Sequence, residues 1–495
     1  MAGSTRHLFN IKSMKIVRNT LIITAIASLI AGCKPEEAPS TTQAEAPALL
    51  SSTPSDGATD LQGSAITAEL IFDQNIRCSA TASVTISGEA KIDRVFAGTN
   101  NLLVDISSLA PGQNYTLSIP AGIIRGFKEN QKETPAISLN FSTKATPVET
   151  HYDRDPMQSL TNKDASEGAS KLYAFLLENY GKKTLSGAMG GTAWETSYTD
   201  MISNLTGKYP AIVGFDYLFN NWPPKHWPGC PDYSDITPVK KAWEAHNIIQ
   251  IGWHWCVPPA EGTTDINKYS YNTKTFGVKN ALTEGTWQNA EMKKQLAQIA
   301  GYLTLLRDAG IPVLFRPLHE AAGDYGWGAW FWWGYDGAEA CKQLWRYMHD
   351  LFTNEYKLNN LIWVWTVQTS DKGQLAGVDK LEEWYPGDEY CDIVGADLYV
   401  AKNTTQSQIF QLVNDSVKGK KIVVISEFGN LLDIDGFFGE DAPWGYFMNW
   451  CNFENGNPVL YAKNSDGSYI WNNSVEDWKA ALGNSHTLNR NDISL

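Results

Sequence analysis

The chain has 495 residues, 43% of them hydrophobic and 19% charged, a globular composition with ample material for more than one packed core. Its net charge of −14 argues against a nucleic-acid partner, which calls for a basic stripe, and suits an uncharged ligand that needs no electrostatic steering. The 19 Trp and 21 Tyr point toward a carbohydrate-facing surface.

Residues 1–32 carry Arg6, Lys12, Lys15 and Arg18 and no acidic residue, then an apolar run from Leu21 to Ala31. A positive segment followed by an apolar run too short to span a bilayer reads as a secretory signal. Its end, Leu29-Ile30-Ala31-Gly32-Cys33, resembles a bacterial lipobox, which implies lipidation of Cys33 and a membrane anchor. Residues 33–48 are polar and proline-rich without periodicity, as expected of a flexible tether. The acidic residues soon after Cys33 resemble the surface-export signal of Bacteroidetes lipoproteins, so the expected location is the outer membrane, at the cell surface or facing the periplasm.

Residues 49–146 alternate short β-type runs with turns, at Ala65–Phe72, Ser83–Ile86, Leu102–Ile106, Tyr115–Ile119 and Ala136–Phe141. Such spacing predicts a small all-β sandwich. The segments STPSDGATDL and LAPGQNYTLSIPAG resemble a bacterial immunoglobulin-like module. It contains no titratable cluster, so it reads as a spacer, with glycan binding as the alternative.

From residue 147 to 495 apolar runs alternate with longer helical patterns. The predicted strands are Thr184–Met189, Ala211–Tyr217, Ile248–Trp255, Val313–Glu320, Leu361–Thr366, Asp392–Tyr399, Ile422–Gly429 and Gly445–Trp450. Helical stretches such as Asn289–Ala309 and Ala338–Asn354 lie between them. Eight such units predict an α/β fold, a (β/α)8 barrel with insertions, whose active site forms at the C-terminal ends of the strands. A doubly wound sheet is disfavoured because no GxGxxG follows the first strand.

The fourth predicted strand runs into Arg316-Pro317-Leu318-His319-Glu320, beside a cluster of tryptophans at Trp327, Trp330, Trp332 and Trp333. The seventh runs into Ser426-Glu427-Phe428-Gly429. Strands four and seven face each other across an eight-fold barrel, so the two carboxyls converge on one cleft. Glycoside hydrolysis needs such a pair, one to protonate the leaving oxygen and one to attack or activate water. Either Glu alone is equally well a buried ion pair, but both at these strand ends favour chemistry. Indole faces stack on sugar rings, and a Glu among them can hold its proton near neutral pH.

The motifs RPLHE, WFWWG and ISEFG together resemble glycoside hydrolase family 26, most of whose members are endo-β-1,4-mannanases. By that resemblance Glu320 is the general acid/base and Glu427 the nucleophile. The resemblance also implies that His319 contacts the nucleophile side or the sugar, that Trp330 stacks the sugar beside the scissile bond, that His254 hydrogen-bonds the −1 sugar, and that Tyr399 bonds the nucleophile and holds it ionised. The segment between Glu320 and Trp330 is longer than the family's short spacer, and Trp365 stands where a smaller aromatic is common.

Other candidates follow from position. Arg316 points inward by strand parity, as a partner of Glu427 or as a structural group. Asp216 and Asp397 read as supporting or packing residues. Trp365 and Trp444 are expected along the substrate cleft, Trp444 with a core role as the alternative, and Trp194 in the first loop. Cys230 and Cys256 follow predicted strands, so an oxidising compartment would let them pair. No His, Asp or Glu set has metal-ligand spacing, so neither metal nor cofactor is expected, and Ser426 lacks a nucleophile elbow. The expected protein is a monomeric, membrane-anchored enzyme that cuts mannan, galactomannan or glucomannan with retention. A β-1,3-xylanase or mixed-linkage glucanase of the same fold, and a non-catalytic glycan-binding lipoprotein, are the alternatives.

Overall fold

The computed structural model describes residues 43–144, 151–323, 329–368 and 381–495. Cys33, the leader and most of the tether lie outside these residues, as does Trp327. The described chain forms two compact units that part at Thr150 and His151.

The first unit is a sandwich of two four-stranded sheets. One sheet runs Leu49–Thr53, Ile66–Phe72, Asn101–Ser107, Lys91–Ala97, and the other Ala58–Leu61, Ile137–Thr143, Asn114–Ile119, Thr85–Ile86. Alternate residues of the central strands, such as Ala68, Leu70 and Phe72 facing Leu117, Ile119, Leu139 and Phe141, fill the space between them. Three strands of these two sheets were not among the predicted runs. Lys91–Ala97 carries Lys91, Asp93 and Arg94 toward solvent and is bulged between Ile92 and Arg94, which breaks the period-two signal. Leu49–Thr53 is likewise bulged, and Ala58–Leu61 is short and part-exposed.

The second unit is a closed barrel of eight parallel strands. We number them β1 (Thr184–Met189), β2 (Ile212–Asp216), β3 (Ile248–Trp253), β4 (Val313–Pro317), β5 (Leu361–Gln368), β6 (Ile393–Leu398), β7 (Ile422–Phe428) and β8 (Tyr446–Asn449). Closure comes from the β1–β2 and β1–β8 pairings. Most strands read as continuous apolar runs because helices cover one face and the barrel interior the other, so both faces are buried. The helix Trp287–Asp308, between β3 and β4, shows how the outer layer is specified. Thr286 caps it by accepting from Asn289 N, and Gly310 just beyond its end takes φ +72°. Met292, Leu296, Ile299, Leu303 and Leu306, spaced three or four residues apart, form its buried stripe.

β4 departs from expectation in a way that matters. It ends at Pro317, not Glu320, because Leu318 and Glu320 take φ of +49° and +51°. For residues with a Cβ this left-handed geometry costs roughly 1–2 kcal/mol each, so the surrounding structure must hold the turn. Strand parity therefore places Arg316 inside the barrel but says nothing about Glu320.

Candidate active site

The barrel interior is polar at its C-terminal end. Arg316, only 2% exposed, ion-pairs with Asp397 through Nη2. The same nitrogen reaches Glu427 Oε2 at 3.1 Å, and Nε donates to Thr366 Oγ1 at 3.0 Å. Ser426 Oγ donates to Asp397 Oδ1 at 2.7 Å and lies 3.2 Å from Thr366 Oγ1. One guanidinium thus serves β4, β5, β6 and β7 at once.

Ser426 and Glu427 are consecutive in β7, yet both side chains enter this network. A regular strand forbids that, because neighbours point to opposite faces. The register shows the device: Ala396 pairs with Ile425, but Asp397 pairs with Glu427, so Ser426 is an extra residue. Such a bulge re-aims a side chain beside a site. Room for Ser426 is provided by Gly395, where a Cβ would stand 2.3 Å from Ser426 Oγ.

Glu427 has a donor on each carboxylate oxygen. Tyr399 OH bonds Oε1 and Arg316 holds Oε2. Burial, followed by the Glu427 and Glu320 charges, pushes Tyr399 well above the usual phenol range, so it remains a neutral donor. Glu320 is differently placed. Burial, then the Asp397 and Glu427 charges, raise its pKa well above the carboxylate range, and Arg316 only partly opposes them. Glu320 and Asp397 hydrogen-bond each other; burial raises Asp397 too, to about 7, but Arg316 and the Glu320 hydrogen bond oppose it, so of the two Glu320 holds its proton more tightly. Trp330, part-exposed, donates Nε1 to Glu320 Oε2 at 3.0 Å. A carboxyl pushed toward its acid form, close enough to feel a second carboxyl that has a donor on each oxygen, is an arrangement that could serve general acid and nucleophile roles.

A second group lies beside them. Asp216, at the end of β2, accepts from the His254 backbone at 3.1 Å and meets its Nδ1 at 2.8 Å. Gly252 makes this possible, since a Cβ there would stand 2.6 Å from Asp216 Oδ2. Burial works against a His254 cation, but the Asp216 charge and hydrogen bond, with help from Glu427, outweigh it and raise the His254 pKa. His254 Nε2 lies 3.2 Å from His319 Nε2. Burial, Arg316 and His254 drive His319 far below the usual histidine range, so it is neutral. When protonated, His254 donates to both Asp216 and His319, which then carries its proton on Nδ1, a buried atom without a hydrogen-bond partner among the described residues.

The geometry bears on several expected contacts. His254, expected to hydrogen-bond the sugar, has its ring nitrogens 2.8 Å from Asp216 and 3.2 Å from His319. His319 is buried behind it, against Phe331 and Trp333, and does not bond Glu427. Trp365 faces away from the interior, because Thr366 takes the inward position of β5, and it packs on Tyr385. Trp444 is fully buried, with its ring on Phe410 and Nε1 on Thr405 O, so the core alternative is the one observed. Trp194 is packed among Phe215, Tyr217 and Tyr233. Trp332 and Trp333 bond the Trp255 and His319 carbonyls from within the core. Cys230 and Cys256 are both free thiols. Of its two expected roles Asp397 takes the supporting one, against Arg316, Ser426 and Glu320.

Sequence reasoning missed Trp450, part-exposed at the end of β8 with its ring 5.5 Å from His254, and Tyr271, 5.7 Å from His254 on the loop after β3. It also missed Trp471, whose ring lies 5.8 Å from Tyr399. For Trp450, its place as the last residue of the predicted eighth strand was the available signal. Among the described residues no group of three or more His, Cys, Asp and Glu is arranged to hold a metal ion. Nor is any helix among them long and apolar enough to cross a membrane.

Comparison with known proteins adds the following. The profile of Glycosyl hydrolase family 26 matches residues 161–476, and that of a bacterial Ig-like domain matches residues 43–143. The chain is 34% identical over 64% of its length to mannan endo-1,4-β-mannosidase A of a Piromyces species, covering 48% of that protein. It therefore spans about half the length of that relative. It is 30% identical over 77% of its length to a mannan endo-1,4-β-mannosidase of Thermothelomyces thermophilus, covering 74% of it. Among solved structures, the GH26 domain of an endo-β-mannanase/endo-β-glucanase from Prevotella bryantii is 34% identical with a TM-score of 0.58, across 68% of this chain and 100% of that one.

Proposed function

This chain belongs to glycoside hydrolase family 26, and on that premise we propose that it is a retaining endo-β-1,4-mannanase. One observation carries the reading: burial and its acidic neighbours favour the protonated form of Glu320, while Arg316 and Tyr399 donate to the two oxygens of Glu427. In the first step Glu320 gives its proton to the glycosidic oxygen as Glu427 attacks the anomeric carbon. The C–O bond to the leaving sugar breaks, and a glycosyl ester to Glu427 forms. In the second step Glu320, now ionised, takes a proton from water, which attacks the same carbon and releases Glu427. Retention is favoured by the donors on both oxygens of Glu427. They fix both oxygens of the carboxylate in place, which suits an attacking group better than a base that must be free to take a proton from water. The β-mannan substrate is supported by the names of the relatives.

The test is proton NMR of the first sugar released from a soluble mannan oligosaccharide. A β-anomer is expected, and an initial α-anomer would overturn the double displacement. Products from β-1,3-xylan or mixed-linkage glucan, with none from mannan, would replace the substrate and leave the chemistry standing.

We further propose that the enzyme is lipid-anchored through Cys33 at the outer membrane and acts as a monomer. The support is the apolar leader ending in Leu29-Ile30-Ala31-Gly32-Cys33. A Cys33→Ser variant is expected to lose incorporation of labelled palmitate and leave the membrane fraction. Unchanged labelling would reject the anchor.

A further inference from the structure

The turn that delivers Glu320 is strained, and something must hold it. Leu318 and Glu320 take φ of +49° and +51°, a region that a residue with a Cβ occupies only when its surroundings impose it. The φ of Glu320 is fixed only if the backbone on both sides of that residue is fixed. On the far side the Glu320 carbonyl accepts from Gly323 N at 3.1 Å. On the near side lies the peptide unit that joins His319 to Glu320. Its carbonyl, His319 O, accepts from Trp333 Nε1 at 2.8 Å.

Trp333 is fully buried. Its ring stacks on Phe331, with centroids 4.4 Å and planes 24° apart, and Phe331 packs in turn on the His319 ring at 5.0 Å. Gly334, the next residue, brings this segment against the backbone just past the turn, where a Cβ would overlap Ala321 O. Residues 331–334 therefore grip the turn at His319 and again at Ala321. Trp332 provides the contrast. It is equally buried, and its Nε1 also donates to a carbonyl at 2.8 Å, but that carbonyl belongs to Trp255, beyond the end of β3. Of these two neighbouring indoles, only Trp333 bonds the Glu320 turn.

We propose that Trp333 is a positioning residue for Glu320: its indole N–H pins the His319 carbonyl and so keeps the Glu320 carboxyl inside the site, against Asp397. Without that bond the peptide unit is free to rotate, and Glu320 relaxes toward the backbone shape that residues with a Cβ ordinarily adopt. Its carboxyl then leaves the buried pocket. The effect on rate rests on the reading of Glu320 as the acid, whereas the effect on its position does not.

The test replaces Trp333 by phenylalanine, which keeps a ring beside Phe331 and removes the N–H. A second protein carries benzothienylalanine at 333, which keeps both fused rings and has sulfur in place of N–H. The first readout is the titration of the Glu320 carboxyl by carbon NMR, assigned by its loss in E320Q. Its midpoint is expected to fall in both proteins, because burial and the neighbouring carboxylates that raise it are left behind. The second readout is kcat/KM. A mannose hexasaccharide is expected to lose at least about tenfold, and an aryl mannoside with an acidic phenol, which needs no proton, less than about threefold. W332F is the control, and should destabilise the fold while treating the two substrates alike. A Glu320 midpoint that stays in place in the benzothienylalanine protein, equal losses on both substrates, or the same split in W332F overturns the positioning role. Wild-type activity in E320Q, or a wild-type protein that cuts neither mannoside, defeats the acid or the mannanase reading instead. The Glu320 titration then decides alone: a lowered midpoint upholds the role of Trp333, and an unmoved one rejects it.

Discussion

Replacing Asp397 with asparagine separates the proton of Glu320 from the charge that keeps it there. The Asp397 carboxylate is, after burial, the largest influence raising the Glu320 pKa. In D397N that charge is gone, while Arg316, which favours ionised Glu320, remains and is bound to fewer carboxylates. Both changes act in one direction, so Glu320 ionises at lower pH. Activity requires protonated Glu320, so the alkaline limb of the kcat/KM profile must move toward acid pH. At neutral pH the variant then lacks an acid, a deficit of about 10²–10⁴-fold for a poor leaving group. An aryl glycoside with an acidic phenol needs no proton, and its loss should be much smaller. Removing one partner of the buried Arg316 also costs stability, about 3 kcal/mol at the lower end for such pairs because Glu427 and Thr366 still hold it. The assay is kcat/KM against pH for the two leaving groups, run below the melting temperature of the variant. A limb that stays in place or moves alkaline, or an equal loss on both substrates, would refute the shared-proton argument.

Other outcomes follow from the same geometry. Tyr399→Phe removes one donor from Glu427 and should lower kcat by about 10²–10³-fold, with the circular dichroism spectrum unchanged. Gly395→Ala drives a methyl into Ser426 and should cost about 1–3 kcal/mol in urea unfolding, together with activity; an unaltered midpoint would show that the bulge has slack. Trp444→Ala should destabilise the barrel by about 3–5 kcal/mol while KM for mannan holds, whereas a selective rise in KM would return Trp444 to the cleft. Asp216→Asn should drop the His254 pKa, read by NMR, because burial and Arg316 are then opposed by the Glu427 charge without Asp216. The raised value means that His254 contributes stability fully below its unfolded pKa of about 6.5 and loses that contribution as pH rises through the folded value. The margin of wild type over D216N is therefore expected to be widest in acid and to narrow as pH rises.

The barrel was legible because its strands are short apolar runs set between helical stripes, and both signals survive without tertiary knowledge. Predicted and observed bounds agree within a residue or two at most strands, with β3 and β4 ending earlier. The sandwich was less legible: Lys91–Ala97 places charges toward solvent across a bulge, which leaves no clean alternation to read. Convergence of Glu320 and Glu427 was foreseeable from their strand numbers alone. The facing of Trp365 was not, since a tryptophan fits either side of a strand that is buried on both, and only the Thr366 contact to Arg316 settles which side is which.

What stayed hidden has a common physical origin. Parity arguments assume a regular strand, and both strands that carry the carboxyls break regularity where they matter. β4 stops at Pro317 and turns through two left-handed residues to deliver Glu320, and β7 inserts Ser426 so that Glu427 can follow it inward. Neither event leaves an apolar pattern. The trace each irregularity or close approach leaves is a missing side chain on the neighbouring strand: Gly395 opposite Ser426, Gly252 beside Asp216. A glycine in the middle of a buried strand forfeits packing and backbone entropy, so its presence requires that something else occupy the space. In this barrel the occupants are polar groups of the site. Gly395 and Gly252 therefore lay in plain sight as markers of Ser426 and Asp216, on the strands adjoining the two carboxyl-bearing ones, and reading strand glycines as sockets would have found Asp397's partner and His254's partner before any coordinates were known.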